Sequence, residues 1–103
     1  MTRDEALELI DRIAFIPTIK GPDRKSLAEI YQACAESDDP LEWVKVVKSC
    51  YTRTHYGGPV LNEAESRYGE MAKQRLEAEL ASALGLRDDE VEAYIKKYID
   101  ENI

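Results

Sequence analysis

One histidine, one tryptophan, one phenylalanine and two cysteines, beside six tyrosines, leave this 103-residue sequence poor in the residue types that most often carry metal or redox chemistry. A metal site needs several nitrogen, sulfur or carboxylate ligands at compatible spacing. None gathers around His55, which sits beside Gly57-Gly58 and reads as a solvated loop residue. Cys34 and Cys50 are too few and too far apart for a disulfide scaffold or a CxxC pair, and their apolar helical positions make them small buried hydrophobes. No apolar run reaches the roughly 18 residues of a membrane span, and acids interrupt the first fifteen residues where a signal peptide needs a clean apolar stretch. An intracellular, cytoplasmic protein is expected. GxSxG, GxGxxG and P-loop patterns are all missing, and Gly57-Gly58-Pro59 lacks the Lys-Ser/Thr that phosphate binding requires. The carboxylate groups at Glu63 and Glu65 and at Asp88 to Glu90 stand at helix starts, where capping and the helix dipole account for them. These absences argue against an enzyme and give no ground for a metal, a cofactor or a small-molecule substrate.

What the chain does have is charge. Acids outnumber bases 21 to 14, for a net charge of −7, and 34% of residues are charged against 44% hydrophobic. That balance fits one compact acidic domain over residues 1–103 and speaks against a general nucleic-acid coat.

Helix punctuation is dense. Thr2 with Glu5, and Asn62 with Glu65, have the spacing of capping boxes. Asp39-Pro40-Leu41-Glu42 reads as an N-cap, a proline at the first helical position and a glutamate able to reach back to the cap. Pro17, Gly21-Pro22 and Tyr56-Gly57-Gly58-Pro59 break helices, and Gly85 followed by Leu86 fits a left-handed C-terminal cap. Apolar residues recur with helical period in between: Leu7, Ile10, Ile13 and Ala14; Leu27, Ile30, Tyr31 and Cys34; Ala64 to Leu84; and Val91, Tyr94, Ile95, Tyr98 and Ile99. Trp43, Val44, Val46, Val47, Cys50 and Tyr51 cover the widest arc, which makes helix three the expected centre and most buried helix, with Trp43 and Val47, and Leu80 in the middle of the stripe of helix four, expected in the core. No segment alternates with period two. The expected fold is all-α, a compact bundle of five helices near residues 3–14, 22–36, 40–55, 62–84 and 88–100.

The charge is unevenly placed. No acid occurs from Trp43 to Leu61, while Lys45, Lys48 and Arg53 do, and Lys45, Lys48 and Thr52 share the helical face opposite the apolar arc. Lys20, Arg24 and Lys25 form a second basic group at the start of helix two. Such faces suit phosphate contacts, which give affinity without reading sequence. Residues 59–103, in contrast, carry 11 acids and 6 bases, a basis for the alternative of an acidic helical protein-protein interaction module without direct DNA contact.

Asp39-Pro40-Leu41-Glu42-Trp43-Val44-Lys45-Val46-Val47-Lys48 with Tyr51 and Arg53, then Glu79 to Gly85, then Glu90 to Ile95, resembles the helical C-terminal domain of CarD-type bacterial transcription regulators. Thr2 to Asp11 is similar to the helix that leads into that domain. The resemblance implies a regulator whose N-terminal Tudor-like domain grips RNA polymerase while the helical domain meets promoter DNA, in the cytoplasm at the nucleoid. The β-rich Tudor-like part is not represented in this chain, which fits an excised C-terminal domain or a shortened relative. Lys45, Lys48 and Arg53, supported by Arg24 and Lys25, are the expected DNA-binding residues. Several members place a tryptophan near the start of the domain against promoter DNA. Ile19 to Lys25 has none here, so DNA binding by the chain alone is expected to be weak.

Overall fold

Thr2 opens the first helix by accepting a hydrogen bond from the Glu5 amide at 3.1 Å while the Glu5 carboxylate accepts one from the Thr2 amide at 3.0 Å. The computed structural model describes residues 1–102, and this capping box starts α1, Arg3–Arg12, which passes into a 3-10 turn at Ile13–Phe15. Then follow α2, Arg24–Glu36; α3, Pro40–His55; α4, Glu63–Leu84; and α5, Asp88–Glu101. No strand occurs among the described residues. The all-α fold with five helices is as expected.

Boundaries differ where local signals compete. The first helix tightens into the 3-10 turn after Arg12 because Pro17 is near and Ile16 is already extended. Helix two begins at Arg24, two residues after Pro22, because Asp23 takes the cap and accepts from the Ser26 amide at 2.8 Å. Asp39 caps α3 as expected, but Glu42 does not reach back. Its carboxylate instead accepts from Lys45 Nζ at 2.8 Å and Cys34 Sγ at 3.2 Å. Gly85 closes α4 in the left-handed region, with φ of 68°, and the Leu86 amide donates to the Ala81 carbonyl at 3.0 Å.

The centre of the bundle is α4, which packs on α1, α2, α3 and α5, and not α3 as the width of its apolar arc implies. Small residues make this possible. A methyl group added at Gly69 would lie 2.7 Å from Cys50 Sγ, and Ala72 is fully buried. Tyr31, Val44, Val46, Leu76 and Leu80 fill the space around them. Trp43 is in the core as expected; its Nε1 donates to the Ser37 carbonyl at 2.8 Å. The Arg75 guanidinium stacks 4.3 Å from the Trp43 ring and donates to the Ala35 and Ser37 carbonyls, which satisfies the end of α2. Val47 is only half-buried, and Leu7, Ile30 and Tyr94 are exposed where their spacing placed them inward. In α1 Ala6 and Leu9 take the inward positions instead, while Tyr31 and Val91 are buried where their spacing placed them.

Gly69→Ala tests the close approach of α3 and α4. Alanine favours a helix interior by about 1 kcal/mol over glycine, yet overpacking a filled contact costs about 1–3 kcal/mol. The single variant should therefore be destabilised in urea unfolding. In a Cys50→Ala background, where the sulfur is gone, the same change should become neutral or stabilising. Equal effects in both backgrounds would show that the contact does not limit the helix separation.

Candidate functional site

Arg53 joins three helices at one end of the bundle. Its Nη1 donates to Glu65 Oε2 at 2.9 Å and to the Tyr31 hydroxyl at 3.2 Å, and its Nη2 donates to Glu65 Oε1 at 3.2 Å. Nε and Nη2 also hold the Pro59 and Val60 carbonyls at 2.9 and 3.1 Å, which pins the Gly57-Gly58 loop. Glu65 is 1% exposed and is the same carboxylate that accepts from the Asn62 amide at 2.9 Å. Burial alone pushes its pKa up, but Arg53, the Asn62 amide and the more distant charge of Arg24 outweigh this and hold it below the ordinary glutamate value. The sequence signal for Glu65 was its capping box; nothing local marks it as the partner of Arg53, twelve residues earlier.

Lys48 is also committed inside the molecule. The helical wheel placed it opposite the apolar arc, but its side chain is buried and Nζ donates to the Ile13 carbonyl at 2.7 Å and the Ile16 carbonyl at 2.8 Å. Burial lowers its pKa from the usual lysine value. The segment between α1 and α2 crosses the polar side of α3 at this point, and Ser49 binds it again by accepting from the Ile19 amide at 2.7 Å. Lys45, half-buried, is paired with Glu42 one turn away. The three bases of helix three expected to bind DNA thus each serve a different internal or local contact.

Arg24 and Lys25 are exposed, together with Lys20. Of the 14 basic residues, only Lys20, Arg24, Lys25 and Arg67 have neither an ion pair nor a side-chain hydrogen bond among the described residues. Arg67 lies over the Tyr68 ring at 5.4 Å. The other three fall within six residues of sequence, where Gly21 folds back against Leu27 and Asp23 caps α2. The structure brings Arg24 to the same end as the Arg53–Glu65 pair and leaves Lys45 about 12 Å further along α3, at 1.5 Å per residue.

A cleft of about 250 Å³ opens between α3, α4 and α5 over Gly69, with Val47, Cys50, Leu76, Ile95 and Ile99 in its walls. Lys73 spans its rim, 3.1 Å from Glu92 and 3.7 Å from the buried Glu77. Cys50 is half-buried here, unlike the buried Cys34; burial raises both thiols to about 11, so neither is a thiolate at neutral pH. At one mouth, the Tyr51 hydroxyl donates to Asp100 at 2.8 Å and Tyr56 bonds the same carboxylate. His55 ends α3, exposed and stacked on Tyr51 at 4.1 Å. No cluster of three metal-ligating side chains occurs among the described residues, and no described helix is long and apolar enough to cross a membrane. No family model, curated protein or solved structure matches the chain.

Proposed function

We propose that this chain is the promoter-DNA-facing helical domain of a CarD-like transcription regulator that works with RNA polymerase, and that it meets DNA phosphates through Lys20, Arg24 and Lys25. The observation that carries this reading is the gathering of unpaired bases: among the described residues, three of the four basic side chains with neither an ion pair nor a side-chain hydrogen bond stand at one turn of a protein whose net charge is −7. Phosphate binding draws on cations that internal acids have not already neutralised. Lys48 and Arg53 are spent on carbonyls and on Glu65, and Lys45 on Glu42. The turn gives charge without base readout, so specificity lies with the polymerase-bound assembly and not with this surface.

Reversal of the three bases tests it. Lys20→Glu, Arg24→Glu and Lys25→Glu together should leave the helix content unchanged, since all three are exposed. Binding to duplex DNA at low salt should fall for every sequence tried. The slope of log affinity against log salt should flatten by about 2.7 units, at roughly 0.9 per phosphate contact. An unchanged slope in the folded variant would favour the alternative, a protein-interaction module. That alternative draws on the cleft between α3, α4 and α5 and on the excess of acids in residues 59–103.

A further inference from the structure

We infer that Lys48 and Ser49 are positioning residues for the basic turn, clamping the segment Ile13–Ile19 onto α3 so that Lys20, Arg24 and Lys25 are presented together. This rests on the DNA-facing reading of that turn. The observation behind it is a buried ammonium group that no carboxylate approaches to ion-pair distance among the described residues. A buried charge is costly unless it is bonded, and a methionine would fill the same space without that cost. What the lysine supplies is two strong hydrogen bonds, at 2.7 and 2.8 Å, to the carbonyls of Ile13 and Ile16. These groups lie where α1 has ended and regular helical partners run out.

Ser49 continues the clamp one residue on. Its hydroxyl donates to the Lys45 carbonyl at 2.6 Å and accepts from the Ile19 amide at 2.7 Å, so the serine is itself held in one orientation. The segment is therefore fixed at 13, 16 and 19, and Lys20 is the next residue. Apolar packing does only part of this. Ile13 and Ile16 are buried and Ile19 packs against the core, but Phe15, the one aromatic of the segment, is 86% exposed and anchors nothing. Beyond Lys20 the chain is held again, by Gly21 against Leu27 and by the Asp23 cap. Three cations held in one arrangement lose little freedom on meeting a phosphate backbone; the same cations on a loose connector lose much more.

The role makes a prediction that neither a direct contact nor a purely structural role shares. Lys48→Met keeps the stem and removes the donors; Ser49→Ala removes the second half of the clamp. Both are to be measured well below their melting temperatures, beside the triple reversal of Lys20, Arg24 and Lys25. Expected are a tenfold or greater loss of hydrogen-exchange protection at the Ile19 amide and about tenfold weaker duplex binding at low salt. The salt slope should stay near the parental value, because the same three cations still reach the phosphates and only lose more freedom in doing so, whereas a direct Lys48 contact would remove roughly 0.9 unit. If Lys48→Met does not fold, Ser49→Ala carries the same readouts. A folded clamp variant that binds duplex as tightly as the parent, or one whose slope flattens by a full contact, overturns the positioning role while the triple reversal still upholds the DNA-facing reading. A triple reversal that leaves the slope unchanged overturns both.

Discussion

Glu65→Ala is expected to lower the unfolding free energy by about 3–5 kcal/mol, the usual cost of leaving one partner of a buried ion pair alone. Glu65 is 1% exposed, and removing it strands an Arg53 guanidinium whose side chain is 12% exposed. It also removes the acceptor of the Asn62 amide and so half of the α4 capping box. Arg53→Met should be nearly as severe, since it frees the Tyr31 hydroxyl and the Pro59 and Val60 carbonyls as well as Glu65. A double-mutant cycle should show strong coupling, because each single variant already loses the shared bonds. Acid adds a second check. The native pKa of Glu65 is depressed, so its contribution is fully present above the unfolded value of about 4.3 and is lost as pH falls through the lower native value. The gap in stability between the parent and Glu65→Gln should therefore narrow below about pH 4. A Glu65→Ala protein with the parental urea midpoint at pH 7 would show that the pair adds nothing.

Leu80→Ala should cost about 2–5 kcal/mol, through lost transfer energy and the cavity left in a helix packed on all four of its neighbours. Leu80 is fully buried, near the far end of α4 from Gly69. For a domain of this length, that loss corresponds to roughly 10–30 °C in melting temperature. Val47→Ala provides the contrast. Val47 lines the open cleft and is only half-buried, so less surface returns to water and the expected cost is on the order of 1 kcal/mol. Equal melting shifts for the two would mean that the cleft is closed in solution. A Leu80→Ala protein that melts like the parent would place α4 outside the centre of the bundle.

The caps and stops were legible in the sequence because each involves groups within a few residues of one another. Thr2 with Glu5, Asn62 with Glu65, Asp39 before Pro40, and Gly85 before Leu86 all stand where the spacing put them. The helical period likewise fixed the all-α class and the core placement of Trp43 and Leu80. Which bases face solvent was not a local question. On the helical wheel Lys48 lies opposite the apolar arc, and only the path of the Ile13–Ile19 segment across α3 turns that polar side into an interior. Arg53 finds its acid across a glycine-rich loop, on another helix. Periodicity reports which side of a helix is apolar; it carries no record of a connector that comes back to cover the other side. Charge on this protein's surface is therefore what remains after long-range hydrogen bonds and ion pairs have taken their share, and among the described residues three of the four unpaired bases lie at Lys20, Arg24 and Lys25, at the head of α2.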